Sequence, residues 1–193
     1  MKIGFLHTAA LHEATFERLL TQAAPQAQAR HHTDPQLLAQ AQSGARPDLA
    51  PALKALSDCN AVLCTCSTLG PLAEAAGMVR IDRPLAQAAA QRTRPLIAYC
   101  VESTRAPTQA LMDEEGARAD YRLCPGWDAF LSGDTAAYAA AIATDIRAAL
   151  SAHDAIILAQ ASMALAAPLL ASTGLPVLTS PPLAIRAVLR AAQ

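Results

Sequence analysis

Short apolar segments alternate with helix-forming segments along the whole chain, and this alternation limits the possible folds more than any other feature. Residues 2–7, KIGFLH, form an apolar run typical of a buried parallel strand. Residues 12–24 then place Phe16, Leu19 and Leu20 at helical spacing. Strands that alternate with helices predict an α/β fold with parallel sheets.

The same pattern predicts the remaining elements. We expect strands at residues 2–7, 26–33, 60–65, 78–82, 95–101, 120–125, 154–160 and 176–180. We expect helices at residues 12–24, 35–57 with a break near Gly44 and Pro47, 71 onwards, 84–92, 104–117, 134–151 with Asp134 as N-cap, 162–172 and 182–191.

Composition and charge exclude several classes of function. The chain has 193 residues and a formal net charge of −1, so it lacks the basic surface that nucleic acids require. No apolar run approaches the roughly 20 residues that cross a bilayer, and the N-terminus does not resemble a signal peptide. We therefore expect a cytoplasmic protein that binds neither nucleic acid nor membrane.

The cysteines are predicted to be reduced thiols rather than disulfides or metal ligands. Their number is odd, and the chain shows no export signal. No Cys/His pair has the spacing of a zinc site, so we expect no metal. They are Cys59, Cys64, Cys66, Cys100 and Cys124.

Polar side chains follow four of the predicted strands. Ligands of open parallel sheets bind beyond the carboxyl ends of the strands, so these side chains are the candidate site. They are His7, Thr8, Cys66, Ser67, Thr68, Glu102, Ser103, Thr104, Gln160 and Ser162.

Cys66 is the candidate with the most specific chemistry. The turn between its strand and the next helix exposes backbone N–H groups, which attract an anion and lower the pKa of a nearby thiol. Ser67 and Thr68 add hydroxyl donors, so this turn could hold a carboxylate beside a base. The alternative is that Cys66 is a small packed side chain and Ser67 caps the helix.

The other strand ends leave two interpretations open. His7 could bind an anion or transfer a proton, because the usual pKa of histidine is about 6.5, or it could be a packed side chain. Ser103 and Thr104 could donate to a carboxylate or cap a helix. Gln160 and Ser162 can orient a ligand, but neither can remove a proton from carbon.

Two segments of the chain share one layout. Residues 58–77 and 152–174 each contain an acidic residue, an apolar strand, a small polar turn, an alanine-rich helix and a glycine. This layout is consistent with two similar lobes, although α/β units resemble one another by default.

Four segments, in order along nearly the whole chain, resemble the aspartate/glutamate racemase superfamily, which includes arylmalonate decarboxylase. His7 and Thr8 match the polar pair after its first strand. The Cys66-Ser67-Thr68 turn is similar to its Cys-Asn-Thr segment, and Thr104 matches a mid-chain threonine. The segments are IGFLHT, VLCTCST, IAYCVESTRAPT and ILAQASMA.

The resemblance implies a fold of two pseudo-symmetric parallel-sheet lobes, with helices on both faces and a cleft between them. The first lobe would contain residues 1–95 and 179–193, and the second residues 96–178. It also implies that no cofactor is needed and that a homodimer is possible. Racemases of this type use two cysteines, whereas here Gln160 stands at the position of the second.

The resemblance therefore implies an enzyme that acts at the α-carbon of a small carboxylate with one cysteine, as a racemase, isomerase or decarboxylase. Cys66 and His7 would be catalytic. The substrate-binding residues would be Thr8, Ser67, Thr68, Glu102, Ser103, Thr104, Gln160 and Ser162. One alternative is a non-catalytic carboxylate-binding or sensing protein on a racemase scaffold, and another is a redox sensor that uses Cys64 and Cys66.

Overall fold

The computed structural model describes residues 1–193 and contains eight strands and ten α-helices. The strands are β1 Lys2–His7, β2 Gln28–Thr33, β3 Ala61–Cys64, β4 Val79–Arg80, β5 Pro95–Tyr99, β6 Asp120–Leu123, β7 Ala155–Leu158 and β8 Val177–Thr179. The helices are α1 Glu13–Ala23, α2 Pro35–Gln42, α3 Ala50–Ala55, α4 Gly70–Ala75, α5 Arg83–Ala90, α6 Arg105–Glu114, α7 Trp127–Leu131, α8 Thr135–Ala149, α9 Ala167–Leu170 and α10 Ser180–Ala191. Short 3-10 helices occupy Ala10–His12, Glu102–Thr104, Ala161–Ala166 and Ala171–Thr173.

The chain divides into two compact units. The first contains Met1–Asp82 and Pro181–Gln193, and the second contains Arg83–Ser180. The sequence-based division after residue 95 assigned α5 to the first unit. The structure groups α5 with the second unit, because this helix packs on α6, β7 and β8.

Each unit is built on a four-stranded parallel sheet, and both sheets have the same strand order. The order is β2-β1-β3-β4 in the first unit and β6-β5-β7-β8 in the second. The register also corresponds, since Leu6 lies beside Cys64 and Ala98 lies beside Leu158. The predicted α/β fold with two similar parallel-sheet lobes is confirmed.

Helices cover both faces of the first sheet because its side chains alternate in direction. Leu6 and Cys64 on one face pack with apolar side chains of α2, α3 and α4. Phe5 on the other face packs against Phe16 of α1, with ring centroids 5.7 Å apart. In the second unit, Tyr138 of α8 is fully buried and anchors the core above β5 and β7.

Most elements lie close to their predicted bounds, and two differences have clear causes. The predicted helix 162–172 is a 3-10 helix followed by α9, because Pro168 has no N–H to continue a longer α-helix. The unpredicted helix α7 follows Gly126, whose φ of 101° favours glycine. Asp134 caps α8 as expected and accepts a hydrogen bond from the backbone of Ala137. None of the helices has both the length and the apolar composition to cross a membrane.

Candidate functional site

The carboxyl ends of β1 and β3 leave the first sheet side by side. Leu6 is paired with Cys64, and the N–H of Thr65 donates to the Leu6 carbonyl over 2.9 Å. Thr8 and Cys66 each lie two residues beyond that pair, at the same edge of the sheet. Sequence reasoning predicted both residues as part of the site, and the fold puts them on neighbouring strand ends.

The side chains of the Cys66 turn, residues 66–68, carry polar groups that form no hydrogen bonds within the chain. Cys66 and Ser67 are half-buried and Thr68 is exposed, and none of their side chains makes a hydrogen bond within the chain. The alternative that Ser67 caps the next helix does not hold, because Leu69 is the N-cap of α4 and no side chain caps it. The hydroxyl of Thr8 also has no partner in the chain. The hydroxyls are available to a ligand, and the half-buried Cys66 side chain packs in part against the core that contains Leu6 and Cys64.

The other thiols are poorly suited to react. Burial raises the pKa of Cys64 to about 12 and that of Cys100 to about 11. Burial also raises the pKa of Cys124 well above its usual range, and that of Cys59 less strongly. Cys59 is half-buried like Cys66, but it precedes β3 and so lies at the opposite end of that strand. Cys66 is therefore the accessible thiol at a strand carboxyl end.

A buried arginine supports the start of α4, and sequence reasoning missed it. Arg80 donates from Nε and Nη2 to the Asp82 carboxylate over 2.7 and 2.9 Å, and it also contacts Glu74 at 3.5 Å. A Cβ at Gly70 would lie 2.9 Å from the Arg80 guanidinium, so glycine permits this close packing. The signal that could have predicted this support is the charged pair in the short strand segment VRID, which directly follows a helix that begins with Gly-Pro.

His7 is fully buried, and both of its ring nitrogens contact other side chains. Nδ1 lies 2.9 Å from the Thr65 hydroxyl, and Nε2 lies 2.8 Å from Nδ1 of His31. Burial lowers the pKa of His7 to about 3, and His31 and His12 contribute to that shift. The imidazole is therefore neutral near pH 7. Its predicted catalytic role stays a prediction.

Gln160 occupies the position in the second unit that Cys66 occupies in the first. Its Oε1 accepts hydrogen bonds from the backbone N–H groups of Cys100 at 2.6 Å and Val101 at 3.2 Å. The side-chain carbonyl thus satisfies the two amides that follow β5. Only the NH2 group of Gln160 remains for a ligand.

The remaining candidates of the second unit mostly bond to their own surroundings. The Ser162 hydroxyl lies 3.0 Å from the Tyr138 hydroxyl. Exposed Glu102 accepts a hydrogen bond from Tyr99 over 3.4 Å, and the Thr104 hydroxyl donates to the Val101 carbonyl. Ser103 is exposed, and its hydroxyl has no partner in the chain.

The structure therefore groups the candidates by unit. One set lies at the β1 and β3 ends and the other at the β5 and β7 ends. Sequence reasoning missed Thr65, His31 and Glu17, which contact His7 directly or through one another. The alternating histidine in ARHHT, on a predicted strand, was a signal for His31. No group of three His, Cys, Asp or Glu side chains is arranged to hold a metal ion.

Comparison with known proteins identifies similar structures but no similar sequences. The chain matches no protein-family model. It also matches no curated protein sequence. The aspartate racemase of Picrophilus torridus has a TM-score of 0.71 and 13% identity, over 99% of this chain and 94% of that one.

Two further structures share the fold. A glutamate racemase from Thermus thermophilus, in complex with β-chloro-D-alanine, has a TM-score of 0.70 and 17% identity, over 98% of this chain and 79% of that one. Arylmalonate decarboxylase has a TM-score of 0.59 and 17% identity, over 100% of this chain and 93% of that one. This chain has the two-lobe α/β fold of the aspartate and glutamate racemases.

Proposed function

We propose that this protein is a cofactor-independent enzyme that acts at the α-carbon of a small carboxylate, with Cys66 as its acid/base or nucleophile. The observation that carries the proposal is the Cys66 turn itself. It presents a half-buried thiol and two hydroxyls without internal partners, directly beyond a central strand of a racemase-like fold.

The proposed chemistry follows from these groups. The hydroxyls of Ser67 and Thr68 bind the substrate carboxylate, and Thr8 adds a third donor at the same sheet edge. The Cys66 thiolate removes the proton from the α-carbon, and the resulting thiol returns a proton to that carbon. In a decarboxylation, the thiol instead protonates the carbon that has lost CO2. A cis–trans isomerisation proceeds by addition of the thiolate to a double bond and its later elimination.

One cysteine favours reactions that need one proton carrier. Inversion requires an acid and a base on opposite faces of the substrate. Gln160, at the position that corresponds to Cys66, has no titratable proton, and its carbonyl is occupied by two backbone amides. We therefore favour one-sided proton exchange, decarboxylation or isomerisation over racemisation. Ser103 and the NH2 group of Gln160 are the proposed ligand-binding groups of the second unit.

A carboxylate-binding or sensing protein is the second candidate. The hydrogen bonds of Gln160 favour a sensing protein, because its carbonyl is already bonded to two backbone N–H groups of the chain. In that case the hydroxyls at the Cys66 turn hold a carboxylate and no bond is broken.

Hydrogen–deuterium exchange at the α-carbon distinguishes the two candidates. Small amino, hydroxy and aryl-substituted acids are incubated in D2O with the protein, and exchange is followed by proton NMR. We expect exchange on a subset of them, and Cys66→Ser should reduce it by about 10²- to 10⁴-fold, the usual contribution of general acid–base catalysis. Malonates added to the same panel detect decarboxylation, and maleate detects cis–trans isomerisation.

Cys59→Ser is the matched control, because Cys59 is equally half-buried but precedes β3. It should leave the rate unchanged. A rate that is unaffected by Cys66→Ser contradicts the enzymatic proposal. Carboxylate binding in calorimetry, without exchange or turnover, supports the sensing protein instead.

Two broader features belong to the proposal. We infer a cytoplasmic location, which cell fractionation would test. The resemblance to the racemases also suggests a homodimer, which light scattering of the purified chain would test.

A further inference from the structure

A continuous chain of side-chain contacts runs from an exposed carboxylate to the residue before Cys66. The Glu17 carboxylate lies 3.0 Å from His31 Nε2, and His31 Nδ1 lies 2.8 Å from His7 Nε2. His7 Nδ1 lies 2.9 Å from the hydroxyl of Thr65. Every nitrogen of the two imidazole rings therefore has a polar partner.

The fold holds the two rings in place. His7 and His31 project from neighbouring strands toward α1, and Phe5 and Phe16 pack around them. The His7 and His31 ring centroids are 5.1 Å apart with an interplanar angle of 21°, and Phe5 stacks on His31 at 5.1 Å. Because His7 is buried and His31 is only partly exposed, the packing around the two rings holds these contacts in place.

These contacts allow two complete hydrogen-bond arrangements. In the unloaded arrangement, the Thr65 hydroxyl donates to His7 Nδ1, and His7 Nε2–H donates to His31 Nδ1. In the loaded arrangement, His31 Nδ1–H donates to His7 Nε2, and His7 Nδ1–H donates to the Thr65 oxygen. The Thr65 hydroxyl then donates to the Leu6 carbonyl, which lies 3.1 Å away. In both arrangements His31 Nε2–H donates to Glu17.

The two arrangements differ by one proton. A proton binds at His7 Nδ1, and the proton already on His7 Nε2 moves to His31 Nδ1. The positive charge therefore appears on His31 beside the Glu17 carboxylate, whereas His7 stays neutral. This transfer avoids a cation on the buried ring of His7, which burial strongly disfavours.

We propose that His31 and Glu17 are positioning residues that enable His7 to accept a proton at Nδ1, where the ring contacts Thr65, the residue before Cys66. The relay itself stands on the contacts described above. Its use in catalysis rests on the proposed function, in which Cys66 must exchange protons with its surroundings. His7 is then the acid–base residue, His31 orients it, and the Glu17 carboxylate balances the positive charge.

The charged and titratable groups around His31 are consistent with uptake of one proton. His7 faces it from β1, and α1 contributes Glu17, with Glu13 bonded to Thr33 one turn earlier. His12 precedes α1, and Arg18 of that helix bonds instead to Gln22. His32 and Arg30 point to the opposite face of the sheet, where Arg30 pairs with Asp58.

Nitrogen-15 NMR of histidine-labelled full-length protein tests the relay without any substrate. Between about pH 9 and about pH 5, we expect one transition in which His31 gains a proton and the N–H of His7 moves from Nε2 to Nδ1. In His31→Gln, which cannot take the charge, His7 should keep one tautomer throughout. A His7 tautomer that is constant with pH in the unmodified protein overturns the proposal.

Glu17→Gln separates the carboxylate charge from its hydrogen bond. Loss of an exposed partner charge should move the transition to lower pH by a few tenths of a unit, up to about 0.7. Glu13→Gln is the matched control, since Glu13 lies one turn away on the same helix and contacts Thr33 rather than His31. Equal shifts in the two variants overturn the assignment of Glu17.

The catalytic use of the relay has its own measurement. If the D2O assay detects Cys66-dependent exchange, His31→Gln should remove one inflection from the pH profile of the rate, and Glu17→Gln should shift it. A His31→Gln profile that matches the unmodified protein overturns the catalytic use. If no exchange occurs, the proposed function fails, and the NMR experiment still decides the relay.

Discussion

The two units share a strand order and a register, yet their equivalent strand ends differ in hydrogen bonding. After β3, the side chains of Cys66, Ser67 and Thr68 make no hydrogen bonds within the chain. After β7, Gln160 bonds to two backbone amides. The sheet therefore positions a strand end, whereas the side chains there decide whether it is open to a ligand.

A second contrast lies in the buried polar groups. The first unit buries His7, Thr65, Arg80 and Asp82, whereas Tyr99 stands in the second sheet where His7 stands in the first. The first unit therefore keeps titratable groups close to its strand ends. Three predictions test whether the two units differ in this way.

Two arginine–carboxylate pairs should differ most in how much they contribute to the free energy of unfolding. Arg80 and Asp82 are buried, so Arg80→Ala leaves a buried carboxylate without its partner and should cost about 3–5 kcal/mol of unfolding free energy. In the second unit, the Arg122 side chain is 42% exposed, and its Nε donates to the Asp145 carboxylate over 2.8 Å. Arg122→Ala should cost less than about 1 kcal/mol. Urea denaturation measures both, and equal losses would contradict the contrast.

The pH dependence of stability tests the burial of His7. Burial lowers its pKa to about 3 in the folded protein, against 6.5 in the unfolded chain. The unfolded chain therefore binds more protons between these values, and stability falls as the pH falls below 6.5. Lowering the pH from about 7 to about 5 should cost about 2 kcal/mol through His7 alone.

Urea denaturation at the two pH values isolates this contribution when His7→Gln is compared with the unmodified chain. The variant should lose less stability over that interval, by the same amount. An equal loss in both proteins would show that His7 does not remain neutral through burial.

The third prediction compares Gln160 with its counterpart Cys66. Gln160→Ala removes the acceptor of two backbone amides and should destabilise the protein by about 1–3 kcal/mol. Gln160→Glu keeps an acceptor and should retain most of that stability. Cys66→Ala removes no hydrogen bond and should change stability by less than about 1 kcal/mol. A larger loss from Cys66→Ala than from Gln160→Ala would reverse the comparison.

The sequence predicts every strand to within about two residues at each end, because the apolar runs stop near polar residues. Strand β1, Lys2–His7, has the predicted bounds, and the Cys66 turn follows the apolar run AVLC of β3. Period and composition are local properties, so they can be read without knowledge of the fold.

The contacts that define the site could not be predicted in the same way. His7 meets His31 and Thr65 across 24 and 58 residues, and Gln160 meets Cys100 across 60. Such pairs depend on strand register and on the choice of side-chain partner, which the local pattern does not encode. The unit boundary before α5 likewise depends on what that helix packs against.

The helix α10 gives the chain a definite order of completion. The second unit is one continuous stretch, Arg83–Ser180, whereas the first needs both Met1–Asp82 and Pro181–Gln193. Ala184, Ile185 and Val188 of α10 are buried, so the first unit lacks part of its core until they are synthesised. Because domains fold as units during synthesis, the second unit can finish folding before the first. Of the two units, the Cys66 turn therefore belongs to the one whose core is completed later.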